Sequence, residues 1–178
     1  MKKTVLTFGL ISGVIIAVLM GTTTLFAERI GFDRAIYVGY ATMLVAFLLV
    51  FFGIKSYRDN VGDGEITFGR AFTVGILITL ITCVFYVVTW EIIYYTFLPD
   101  FADKYGNYLI EKSRAAGATP EQIAQELEQI KQMKALLDNP LLGPAVVLIS
   151  EPLPVGLVMT LISAAILRKR RKQVEVPV

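Results

Sequence analysis

The sequence has no histidine and a single cysteine, Cys83. Histidine is the commonest general base near neutral pH and the commonest transition-metal ligand. Its absence argues against zinc sites and against Ser–His or Cys–His nucleophile systems. One thiol cannot close an internal disulfide, so Cys83 says nothing about redox compartment. Charge is also scarce, at 18% of residues, where a soluble domain carries about 25%. Neither a Walker loop nor a dinucleotide fingerprint is present; Gly62 and Gly64 stand in a short polar loop and read as a turn. No catalytic, cofactor-binding or metal-ligating residue is assigned on this reading, and no cofactor is expected.

What the sequence has instead is long apolar runs, with 55% of its residues hydrophobic. Four runs, at 4–26, 35–54, 71–97 and 144–167, each supply the roughly 20 apolar residues that a membrane-spanning helix needs. Such segments must be helical, because lipid offers no partners for exposed backbone groups. The fold class read here is therefore an all-α integral membrane protein of four transmembrane helices, forming a single domain over 1–178. The first run follows Lys2 and Lys3, as a signal peptide would, but it is long for a signal core and Leu25 is poorly placed for cleavage after Ala27. A retained helix is favoured, and either reading gives the same topology.

Basic residues set the expected orientation. With the N-terminus inside, the inner side holds ten basic residues against four acidic ones, and the outer side seven against eleven. Arg168, Lys169, Arg170, Arg171 and Lys172 begin a basic tail over 168–178 and form the strongest anchor to anionic headgroups. Directly after a spanning run they read as a stop-transfer signal rather than a nucleic-acid patch. Both termini are thus expected in the cytoplasm. Phe85, Tyr86, Trp90, Tyr94, Tyr95, Phe97 and Phe101 read as an aromatic belt at the outer end of the third helix. The inner loop at 55–70 reads as a polar turn, with Thr67 to Arg70 starting that helix.

Residues 99–139 are expected outside the membrane as a helical insertion. Thr119, Pro120 and Gln122 make a capping-box start. Ile123, Leu127, Ile130 and Leu137 then form one apolar stripe, interrupted by Lys134. An earlier helix carries Phe101, Tyr105, Tyr108 and Leu109, with Gly117 as the break. The expected arrangement is a helical hairpin between the third and fourth spans. It packs on itself or on the membrane in one reading, and offers a docking surface over 100–138 to a protein partner in the other.

Small residues recur at every fourth position: Gly9, Gly13, Ala17 and Gly21 in the first run, Ala71, Gly75, Thr79 and Cys83 in the third, Gly156, Thr160 and Ala164 in the fourth. Close packing holds helices together in lipid, and small faces permit it. The Gly9–Gly13 face serves internal packing or, alternatively, a homo-oligomer. Two carboxylates, Glu91 and Glu151, fall within the third and fourth runs, and Glu151 is followed by Pro152 and Pro154. Ionisable groups at membrane depth mark functional sites by default. They read either as a proton- or cation-binding pair or as two interfacial acids reaching water. The prolines predict a kink or break in the fourth helix.

In this order, several patches resemble a known family. They are Lys2-Lys3 leading to Gly9 and Gly13, then Ile66-Thr67-Phe68-Gly69-Arg70-Ala71-Phe72 with Gly75 following. Next come Tyr95 to Tyr105 with Pro99, then Pro140-Leu141, Glu151-Pro152, Gly156-Leu157 and Leu161-Ile162-Ser163-Ala164 before the basic tail. The chain is similar over nearly its whole length to the bacterial membrane family catalogued as domain of unknown function 4199. That resemblance implies four helices in a bacterial inner membrane and carries no catalytic residues. The functional expectation is a non-enzymatic interaction subunit presenting its outer hairpin to a partner. The alternative is a small oligomeric transporter or channel using Glu91 and Glu151.

Overall fold

The computed structural model describes residues 1–169, and Arg170, Arg171 and Lys172 of the expected anchor lie outside them. The chain folds as α1 (Lys2–Leu25), a short α2 (Ala27–Ile30), α3 (Phe32–Val61), α4 (Phe68–Ile92), α5 (Phe101–Ala115), α6 (Pro120–Leu137), α7 (Leu142–Ser150) and α8 (Pro152–Leu167). A π-helical turn, Ile93–Phe97, continues α4. Among the described residues there is no strand.

Four helical stretches are long and apolar enough to cross a membrane: Lys2–Leu25, Phe32–Val61, Phe68–Phe97 and Leu142–Leu167. Their outward faces carry Val18, Val84, Ile149 and Ile166, each at least 60% exposed. Water would not tolerate so much open aliphatic surface, and lipid does. The second stretch outruns its apolar sequence: α3 continues through Lys55 and Arg58 to Val61. The polar turn expected at 55–70 therefore shrinks to residues 62–67, where Asp63 and Gly64 take positive φ values of 51° and 82°. Thr67 caps α4 by accepting from the Arg70 amide at 3.3 Å. The same loop is tied to the end of α8, Ile66 and Lys169 exchanging amide bonds of 3.1 and 2.9 Å.

α4 is the central helix, packed against α1, α3 and α8. The small faces make this possible. A Cβ added at Gly9 would lie 2.8 Å from Ile81 Cδ1, and one at Gly13 would strike the Phe85 ring. The first run's glycine face thus receives two α4 side chains four residues apart. On α4's other side Gly75 faces Thr160, Ile54 and Val50, while Gly156 faces Thr79 and Phe47. The Thr79 and Thr160 hydroxyls meet at 2.9 Å, both fully buried. Ser12 Oγ donates to the Ala46 carbonyl at 2.8 Å, pinning α1 to α3. Gly21 is looser, 3.6 Å from Ile93, and Ala17 is half-buried. Ala164 and Cys83 are buried.

The segment between α4 and α7 is built as its punctuation suggests. α5 ends in paired reverse bonds, Ala118 N–H to the Ser113 carbonyl and Gly117 N–H to the Arg114 carbonyl, both 3.0 Å. This is the Schellman arrangement, and Gly117 supplies its left-handed φ of 83°. α6 opens with the reciprocal Thr119–Gln122 capping box. Gly106 of α5 lets Ile130 of α6 approach, and Lys134 bonds Asp103 at 2.6 Å. The lysine that interrupts the α6 stripe is therefore the pin between the two helices. Leu127, assigned to the same stripe, stays 40% exposed.

Replacing Gly156 by Ile should overpack α8 against Thr79 and Phe47 and cost about 1–3 kcal/mol. Gly69→Ala, where an added Cβ meets nothing within 4 Å, should be neutral or stabilising. Thermal unfolding of the purified variants in detergent distinguishes the two; equal effects would refute this account of the α4–α8 contact.

Candidate functional site

The fourth span is broken at Glu151, whose backbone (φ −121°, ψ −81°) leaves the helical region between α7 and α8. Proline explains the break. Pro152 and Pro154 have no amide to give, their rings crowd the preceding turn, and a residue before proline is driven out of the α region. α8 restarts with Pro152 at its first position, where a missing amide costs nothing. The break also turns the Glu151 side chain towards α4. There Tyr86 donates its hydroxyl to Glu151 Oε2 in a short hydrogen bond.

Above this pair the helices do not close. α7 packs on α4, α6 and α8, while the first buried residue of α3 is Met43. The leading third of α3 is thus splayed from the bundle. The gap is a cavity of about 350 Å³. Ile16, Met20 and Thr23 of α1 form one wall, Ile36, Gly39 and Tyr40 of α3 another, and Tyr86, Trp90 and Glu151 the floor and flank. Among the described residues that line it, Glu151 is the one charged side chain.

Aromatic rings roof the cavity. Phe32 at the start of α3 meets Phe101, Tyr105 and Tyr108 of α5 at centroid distances of 6.1, 5.5 and 5.1 Å. Trp90 meets Phe101 edge-on at 5.4 Å. Lys112 of α5 bonds Asp33 at 2.6 Å, clamping the roof to α3. That carboxylate holds the Lys112 ammonium above the usual lysine range, so the clamp stays charged at neutral pH. Burial pushes the Tyr105 phenol up from its ordinary value, which keeps it neutral. At the far end of α6, Tyr94 donates to Asp138 at 2.6 Å and Tyr95 to the Leu137 carbonyl at 3.3 Å.

The two carboxylates singled out from sequence part company here. Glu151 lines the cavity and bonds Tyr86, whereas Glu91 lies outside that lining, half-exposed. Five residues along a helix is a rotation of about 140°, so Glu91 and Tyr86 leave α4 on different faces. The structure does not bring Glu91 to Glu151. Three residues read as an aromatic belt also change place. Phe85 packs on Gly13, Tyr86 is buried, and Trp90 lines the cavity. Tyr86, read from sequence as part of the belt, is the residue that meets Glu151. Its signal was register, since it lies seven residues beyond Thr79 and so continues the face that α4 turns to α8.

Residues 7–169 match the family model described as Protein of unknown function (DUF4199). The chain belongs to that family. No curated protein and no solved structure matches it. The match runs from α1 through α8, so the cavity, its roof and the Tyr86–Glu151 pair all fall inside the family's domain.

Tyr86→Phe should strip Glu151 of its donor and lower stability by about 1–3 kcal/mol, the cost of an unsatisfied buried acceptor. Adding Glu151→Met to Tyr86→Phe should recover most of that loss, since both polar partners are then gone. Detergent unfolding curves for the two singles and the double make the test. Additive losses would show that the pair is not coupled.

Proposed function

We propose that this chain is a multi-pass protein of a bacterial inner membrane with both termini in the cytoplasm, whose α5–α6 segment is a helical hairpin on the opposite side and presents a surface to a protein partner. The observation that carries this reading is α6. It is 18 residues long, opened by a capping box and pinned to α5, yet it has no buried residue. Away from α5 it shows Met133 and Leu136 at 50% and 39% exposure, with Leu127 at 40%. A helix so well specified and so little covered suits recognition better than core building. The orientation is supported by charge: Lys2, Lys3, Lys55, Arg58, Arg70, Arg168 and Lys169 gather at the end away from α5 and α6. The reading is non-enzymatic, in keeping with the missing histidine.

A second reading, a small oligomeric transporter, draws support from Glu151 in its cavity and none from Glu91. Proteoliposome flux that disappears in Glu151→Gln and persists in Glu91→Gln would favour it.

In a Cys83→Ala background, Ala124→Cys on α6 should react with a membrane-impermeant maleimide in intact spheroplasts, and Asn60→Cys only after permeabilisation. The reverse pattern would overturn the orientation. A photo-crosslinker at Met133 should give one discrete, stoichiometric adduct in native membranes, where the same probe at Val84 gives lipid adducts. Lipid adducts or none at Met133 would remove the partner reading.

A further inference from the structure

The cavity at the break of the fourth span combines three features that a void left by poor packing need not share. Among the described residues of its lining it has one carboxylate, at its floor, and no basic side chain, with aromatic rings around and above that acid. Glu151 is mostly covered, and its Oε2 is taken by Tyr86. A carboxylate withdrawn from water is stabilised by a proton or by a positive partner with hydrogen bonds or close contact. A positive partner inside this lining also lies among aromatic rings, whose faces attract cations at distances up to about 6 Å.

We propose that this cavity binds a small organic monocation, an ammonium carrying an apolar or aromatic body, with its charge against Glu151 and its body among Tyr40, Trp90, Phe101 and Tyr105. The organic body follows from the walls. Ile16, Met20, Ile36 and Met43 offer aliphatic contact and no hydrogen bonds from their side chains. An inorganic divalent cation would need several oxygen ligands, and among the described residues no group of three acidic or cysteine side chains converges to hold one. The volume agrees, since about 350 Å³ lies within the usual range of small-molecule pockets, roughly 300–1,000 Å³. Tyr86 holds the carboxylate in place and leaves Oε1 for the ligand. The proposal deepens the transport reading by naming a cargo class, but it rests on the cavity alone. Binding without flux would remove transport and leave the site standing.

The protein carries its own reporter, because Trp90 is its one tryptophan and lines the cavity. The test is equilibrium dialysis of labelled benzyltrimethylammonium against the purified full chain in nanodiscs, with Trp90 emission followed in parallel. The neutral carbon isostere neopentylbenzene serves as the control ligand. Saturable binding of the cation near one per chain is expected, with a saturable change in Trp90 emission. Glu151→Gln should weaken it by about tenfold or more, the scale of losing one charge-assisted contact. Glu91→Gln should leave it unchanged. Equal binding of the cation and its neutral isostere, or an unaltered affinity in Glu151→Gln, would overturn the proposal in favour of an apolar pocket for a lipid tail. The absence of saturable cation binding to wild-type protein would overturn it outright. Should Glu151→Gln fail to fold, the comparison of cation with isostere on wild-type protein decides alone.

Discussion

Everything in this molecule depends on how closely α4 can be approached. Between helices in lipid there is little hydrophobic drive, so association rests on contact density and on a few buried hydrogen bonds. Gly9 and Gly13 let α1 take Ile81 and Phe85 of α4 into its own surface, and Gly75 and Gly156 do the same between α4 and α8. A Cβ at any of these four positions would collide with a neighbouring side chain. The Thr79–Thr160 contact then adds a polar link where no water competes. The bundle is tight over this half because its residues are small, and Phe47, Ile54 and Ile78 fill the space between at essentially zero exposure.

The same rule explains where the bundle opens. Small residues stop matching large ones near Tyr86 and Met43. Beyond that level the proline break lets α7 depart from the line of α8, and α3 runs on without a buried residue. A continuous fourth helix would carry its amides straight through 151, and its side chains would meet α3 as they do lower down. Breaking it opens a space that the aromatic cluster of Phe32, Trp90, Phe101 and Tyr105 then covers. The roof is therefore not an independent domain resting on the bundle. Its rings close the gap that the prolines create, and the Lys112–Asp33 and Lys134–Asp103 pairs fix its position.

Much of this was legible in the sequence, and the parts that were not share a cause. The four spans follow from apolar run length. The start of α6 follows from Thr119 and Gln122, the end of α5 from Gly117, and the interhelical faces from glycine spacing. Each is a local rule needing no knowledge of neighbours. The extent of α3 escaped because hydropathy marks where apolar sequence ends, and helix does not end there: residues 55–61 are mostly polar, and Lys55 and Arg58 still favour helix. Lys134 looked like a flaw in the α6 stripe, because its partner Asp103 lies 31 residues earlier on another helix. Tyr86 and Trp90 looked interfacial, because aromatic identity alone cannot separate a ring facing headgroups from one facing a cavity.

The distinction between Glu91 and Glu151 shows what a sequence leaves out at membrane depth. Both are acids within the membrane-spanning stretches, and composition treats them alike. Their surroundings differ by rotation about a helix axis. Residues 75, 79, 82, 83 and 86 of α4 are all buried, and together they define the face turned inward. Residue 91 falls off that arc, so its carboxyl can reach outward. Residue 151 has no such freedom. The prolines behind it fix the backbone at the one point where the side chain must enter the bundle, and Tyr86 stands on the facing arc to receive it. An acid held inward by the backbone and met by a donor from another helix is a built arrangement. An acid on an open face is one that the fold merely permits.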